Sequence, residues 1–79
     1  MDIPQGWGEE GGKLVKSFDF ATFEDAVRFI NAVAGIATRL NHHPEIWNSY
    51  NKVKITLFTH DENSISEKDY SLALEINSL

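Results

Sequence analysis

The chain has 79 residues, 42% hydrophobic and 24% charged, with a formal charge of −5 and no cysteine. That describes one small domain with a modest core, without a disulfide framework, thiolate metal site or thiol nucleophile. The acidic balance and scattered Lys and Arg argue against direct contact with nucleic acid, and the apolar stretch Ala32 to Ala37 is far too short to cross a membrane. "MDIPQGWGEE" has neither the basic flank nor the apolar run of a signal peptide. The lack of cysteine fits a reducing, cytoplasmic setting. A core this small is often completed by oligomerisation.

In chain order, "PQGWGEEGG" is Gly-rich and acidic, so residues 1–12 read as a loop or loosely held arm. Trp7 anchors it, since large aromatics are mostly buried. "KLVKSFDF" alternates as a strand does: Leu14, Lys16, Phe18 and Phe20 lie on one face, Val15, Ser17 and Asp19 on the other. Thr22 then caps a helix whose first turn carries Glu24 and Asp25 at the positive end of the dipole. Phe23, Val27, Ile30, Val33 or Ala34, and Ala37 form its apolar stripe, widened by Phe29 and Ile36. The small residues Ala32, Ala34, Gly35 and Ala37 allow close approach, either within the chain or by a second copy. Pro44 biases His43 away from the α conformation, so the helix is expected to end near Asn41.

"EIWNSYN" and "KVKITLFTH" read as two strands joined by an Asn51-Lys52 turn, because Asn51 tolerates positive φ. Val53, Ile55 and Leu57 share one face; Lys54, Thr56, Phe58 and His60 share the other, which puts His60 at a strand end. Ser66 with Asp69 forms a capping box, and Ile65 and Tyr70 sit where a hydrophobic staple belongs. The last helix carries Tyr70, Ala73, Leu74 and Ile76, with Leu72 to one side. The expected fold is α+β: a single domain over 1–79, with a small antiparallel sheet and two helices packed on one face, in the order β-α-β-β-α.

All three histidines lie between Asn41 and His60. A metal site is not expected: adjacent histidines on extended backbone point apart, and no HExxH or Cys/His pattern is present. Acid–base chemistry suits them better, since imidazole both donates and accepts protons near neutral pH. A dehydration needs one group to protonate the departing hydroxyl and another to take a proton from the substrate. The structural alternative has His42 capping a helix C-terminus, His43 on the surface and His60 closing a strand. Residue chemistry leaves these two readings open. No nucleophilic triad, phosphate loop or dinucleotide motif is present.

"HHPEIWNSYNKVKITLFTHDENSISEKDYSLALEI" resembles the pterin-4a-carbinolamine dehydratase family. The residues that carry the likeness are His42-His43-Pro44, Tyr50, Thr59-His60-Asp61, and Asp69 with Leu72-Ala73. Upstream, "GWGEEGGKLVKSFDFATFEDAVRFI" is similar to the family's Gly-Trp, strand and first long helix. The chain looks like a short form without the usual helix before the Gly-Trp. It departs from the family at Thr38, where an acidic residue is common, and at Ile46, where tryptophan is usual; here Trp47 follows one position later.

The resemblance implies a dehydratase that eliminates water from 4a-hydroxytetrahydropterin to give quinonoid dihydropterin, with no metal or organic cofactor. It implies His42, His43 and His60 as catalytic residues, with Pro44, Trp47, Thr59 and Asp61 around the substrate. His43 and His60 are assigned to proton transfer at the hydroxyl, and His42 to orientation or the second transfer. The partners implied are a small pterin and further copies of the chain, in a homodimer or homotetramer. The alternative is a non-catalytic module, either pterin-binding (handling the pterin of molybdenum cofactor, for example) or dimerising another protein through its helical surface.

Overall fold

Alternating strands and two capped helices assemble into two layers. The computed structural model describes residues 2–79, so Met1, the first residue of the expected arm, lies outside the described residues. Strands β1 (Gly8–Glu10), β2 (Lys13–Asp19), β3 (Glu45–Ser49) and β4 (Lys52–Leu57) form one antiparallel sheet in the order β1-β2-β4-β3. Helices α1 (Phe23–Leu40) and α2 (Glu67–Asn77) cover one face. Leu14, Val53, Ile55 and Leu57 from the sheet are buried against Ala26, Val33, Leu72, Ala73 and Ile76 from the helices. The α+β class with helices on one face is thus as expected. The open face carries Val15, Trp47, Lys54 and Thr56, as strand parity requires. Its ion pairs, Lys54–Glu10 at 3.7 Å and Lys13–Glu45 at 4.0 Å, are solvent-exposed, so each contributes little to stability.

The N-terminal segment differs from the expectation. Gly8–Glu10 pairs with β2, making the order β-β-α-β-β-α. Three residues are too few to show alternation; the strand exists because Gly11 and Gly12, at φ 58° and 78°, turn the chain tightly back on itself. Trp7 is 7% exposed, and its Nε1 donates to Asn77 Oδ1 at 3.0 Å. Lys16 Nζ donates to the same oxygen at 2.8 Å, and Asn77 Nδ2 donates to the Gln5 carbonyl at 3.0 Å. Asn77 therefore explains the lysine that interrupts the apolar face of β2. Asn77→Ala should destabilise the chain by about 1–3 kcal/mol and red-shift tryptophan emission; an unchanged melting curve and spectrum would show that Asn77 is not what holds the arm.

Helix α1 begins as expected, the Thr22 hydroxyl accepting from the Asp25 amide at 3.1 Å, and it ends at Asn41 in the left-handed region at φ 53°. Its inward face is Ala26, Val33 and Ala37, with Phe29, Ile30, Ile36 and Leu40 half-buried; Phe23 and Ala34 point outward. A methyl group at Gly35 would meet nothing within 4 Å. Gly35→Ala should therefore stabilise the chain by about 1 kcal/mol through helix propensity, read from the urea midpoint. A loss of stability would reveal a second body packed on that face. On α2 the capping box forms, but Leu72 faces the core and Leu74 is 59% exposed. Asp69, Leu72, Ala73 and Ile76 form the buried stripe at helical spacing.

The β3–β4 turn is Tyr50-Asn51 rather than Asn51-Lys52, since Ser49 pairs with Lys52. Tyr50, not Asn51, takes the positive φ, 51°. Asn51 is instead bound to the β2–α1 connection, with Nδ2 donating to the Phe20 carbonyl at 2.7 Å. Strand β4 stops at Leu57, and His60–Glu62 forms a 3-10 turn rather than a strand end. The chain there folds back on itself: the Thr59 amide donates to the Ser64 carbonyl at 3.0 Å, and Asn63 adopts φ 53°.

Candidate active site

The three histidines arrive by different routes. The left-handed residue Asn41 ends α1, and the His42 amide donates to the Ala37 carbonyl at 3.0 Å. This turn sends the His42 ring beneath α2, leaving its side chain 12% exposed. His43 follows, its backbone biased away from the α region by Pro44, and is exposed. His60 opens the 3-10 turn after β4 and is exposed; its ring meets Phe58 edge-on at 5.1 Å between centroids. All three line one cavity of ≈ 310 Å³, together with Asn41, Phe58, Thr59, Asp61 and Lys68.

Behind His42 stands Asp69, the third residue of α2 and completely buried. Its Oδ1 lies 2.6 Å from His42 Nε2. Its Oδ2 accepts from the Thr59 hydroxyl at 2.7 Å and the Ser66 amide at 2.9 Å. With Asp69 taken as an ionised carboxylate, the hydroxyl hydrogens in this network follow from the contacts. An ionised carboxylate only accepts, so Thr59 gives its single hydroxyl proton to Asp69. The Ser66 hydroxyl, 2.6 Å from Thr59 Oγ1, must then be the donor to Thr59. Ser66 Oγ in turn accepts from the Lys68 amide at 3.3 Å. With Asp69 ionised and His42 neutral, the same logic places the imidazole hydrogen on Nε2 and leaves Nδ1 as the acceptor nitrogen. Among the described residues no buried side-chain polar atom lacks a partner, as a low-dielectric site requires.

Of the residues singled out from sequence, His42, His43, His60, Thr59 and Asp61 share this cavity. Thr59 is 4% exposed and faces Asp69, whereas Asp61 is solvent-exposed. Pro44 and Trp47 are not in the lining. Pro44 precedes β3, and Trp47 pairs with Lys54, which places its indole on the open face, 55% exposed. Ile46, opposite Ile55, takes the helix side instead. This is the change of face that a one-residue shift along a strand produces. Thr38 is exposed on the last turns of α1 and does not line the cavity.

Asn41, Phe58 and Lys68 in the lining, and Asp69 behind it, are the site components that residue chemistry did not assign. Asp69 was legible as a helix cap, and that local role concealed its second one: the same Oδ2 that caps Ser66 also receives Thr59. Phe58 shares strand parity with His60, the only sequence signal for it. Nothing in the sequence around Lys68 marks it. Among the described residues no three His, Cys, Asp or Glu side chains gather so as to hold a metal ion, and no helix is long and apolar enough to cross a membrane.

Comparison with known proteins supplies a context for this geometry. The family model described as pterin 4 alpha carbinolamine dehydratase matches residues 1–79. A protein of Herpetosiphon aurantiacus, provisionally named a pterin-4-alpha-carbinolamine dehydratase, is 45% identical over 79 residues, covering 100% of this chain and 82% of its own. A protein of Rhizobium meliloti with the same provisional name is 45% identical over 75 residues, covering 92% of this chain and 72% of its own. A solved structure described as a transcriptional coactivator/pterin dehydratase from Brucella melitensis superposes with a TM-score of 0.89 at 38% identity, covering 94% of this chain and 81% of that one. A pterin dehydratase-like protein described as a RuBisCO assembly factor in the alpha-carboxysome shares the fold, with a TM-score of 0.79 at 24% identity over 95% of this chain and 89% of that one.

Proposed function

Because the chain belongs to the pterin-4a-carbinolamine dehydratase family, we propose that it eliminates water from a 4a-hydroxytetrahydropterin, using its histidines to move the protons. The observation that carries this proposal is the convergence of His42, His43 and His60 on one cavity, with His42 held by a buried carboxylate. In the reaction the C4a–O bond breaks, the departing oxygen takes a proton to leave as water, and N5 gives up its proton as the C4a=N5 bond of the quinonoid product forms. His43 and His60, exposed at the mouth, supply and replenish the proton for the oxygen. His42 takes the second transfer: Asp69 fixes its tautomer and stabilises the imidazolium that forms when Nδ1 accepts the N5 proton.

Thr59 acts through Asp69, keeping the carboxylate saturated with donors, and Asp61 and Lys68 flank the substrate's polar edge. Pro44 contributes by fixing the backbone of His43. We assign no substrate contact to Trp47; its exposed indole, the unpaired edge of β3 and the small-residue face of α1 suit further copies of the chain. A homodimer or homotetramer belongs to this proposal, and light scattering tests it. The non-catalytic alternative is separated from dehydration by a turnover assay. With 4a-hydroxytetrahydropterin generated in situ, the chain should accelerate formation of the quinonoid dihydropterin above the spontaneous rate. Pterin binding without acceleration would favour a binding module instead.

A further inference from the structure

Phe18, Phe20 and Phe29 pack their rings against the buried core. Phe58 does not: it directly follows β4 on the open side of the sheet and is half-buried there. Leu57 pairs with Leu14, which brings Phe58 beside Lys13 at the start of β2. The Lys13 ammonium stands 5.1 Å from the Phe58 ring centroid and 4.0 Å from Glu45. The same ring meets His60 at 5.1 Å between centroids, with the two planes 85° apart. Phe58 also forms a wall of the histidine cavity and of a second cavity of ≈ 610 Å³.

His60 lacks the kind of support that His42 has. Asp69 fixes the His42 ring, whereas among the described residues no hydrogen bond or ion pair holds the His60 ring. His60 is exposed and opens a three-residue 3-10 turn. Such a side chain would otherwise spread over three staggered χ1 rotamers. They send the imidazole in different directions, so only one of them suits proton transfer to a given oxygen. A perpendicular aromatic contact favours one direction, because the negative face of one ring attracts the positive edge of the other. Lys13 draws Phe58 toward β2 by cation–π attraction, so the ring that meets His60 is itself held.

We infer that Phe58 is a positioning residue for His60, holding the imidazole in the rotamer that serves the departing oxygen. This rests on the dehydration proposed for the histidine cavity, and a measurement without substrate separates the two. In the full chain, the Hα–Hβ couplings of His60 should report one χ1 rotamer; in Phe58→Leu they should report an average over several. Leucine keeps an apolar side chain at this position, so a merely structural role would survive the change. Turnover should not: kcat should fall about 10-fold in Phe58→Leu, with KM unchanged, because the proton donor is misplaced rather than removed. Phe58→Tyr keeps the ring and should stay within about 2-fold of the parent. In a His60→Ala background, Phe58→Leu should cost less than about 2-fold more, since nothing is left to position. Averaged His60 couplings in the parent, full kcat in Phe58→Leu, equal losses in the tyrosine and leucine variants, or an undiminished loss in the His60→Ala background would each overturn the role of Phe58 and leave the dehydration standing. No acceleration by the parent would overturn the dehydration, and with it this use of the contact, whatever the couplings show.

Discussion

Asp69→Ala is expected to cost about 3–5 kcal/mol, because it strips the acceptor from three buried or half-buried donors at once. Those donors are His42 Nε2, the Thr59 hydroxyl and the Ser66 amide. The whole stability of a domain this size is about 4–12 kcal/mol, so much of the variant should be unfolded at 37 °C. Asp69→Asn separates stability from chemistry. Its carbonyl can still accept from Thr59 and Ser66, while its amide must then donate to His42 Nε2. That forces the His42 proton onto Nδ1, the nitrogen proposed to accept the N5 proton. The asparagine variant should fold, with a melting temperature only a few degrees lower (about 1 kcal/mol), yet lose about 10²–10⁴ in kcat. Long-range ¹H–¹⁵N spectra read the tautomer directly. A variant that keeps both kcat and the Nε2–H tautomer would remove Asp69 from the account of His42.

His60→Ala carries the second largest expected effect, and it falls on rate alone. The ring is exposed and packs only edge-on against Phe58, so stability should change by less than about 0.5 kcal/mol. If His60 serves the departing oxygen, kcat should fall about 10²-fold. His43→Ala should behave similarly, and the double variant should lose less than the product of the two, since both serve one proton transfer. Full activity in both single variants would mean that neither ring protonates the hydroxyl.

The fold was legible where local chemistry and period agree. Thr22 and Asn41 bound α1 at the positions expected from capping and from Pro44, and Val53, Ile55 and Leu57 face inward as alternation requires. Strand β1 was not legible, because three residues in a Gly-rich run carry no period and pairing with β2 is a tertiary fact. Lys16 looked like a flaw in the strand until Asn77, sixty-one residues away in sequence, appeared as its acceptor. The hairpin slipped by one residue because Asn51, the better residue for positive φ, is used to bind Phe20.

The candidate site divides along the same line. The grouping of His42, His43 and His60 could be suspected from their closeness in the chain, and the family resemblance favoured it. The special environment of His42 could not, since Asp69 reaches it from 27 residues away and reads locally as a cap. Conversely, Trp47 looked like a pocket aromatic, but β3 pairing turns it to the open face, while Phe58, unremarkable in sequence, lies between two cavities.

The most direct test of the central claim compares the parent chain with a His42→Gln, His43→Ala, His60→Ala variant shown to be folded by its circular dichroism. Release of quinonoid dihydropterin from 4a-hydroxytetrahydropterin is followed at equal protein concentrations. The parent should accelerate the reaction and the triple variant should return it to the spontaneous rate. Equal acceleration by the two chains would contradict histidine-driven dehydration in this cavity.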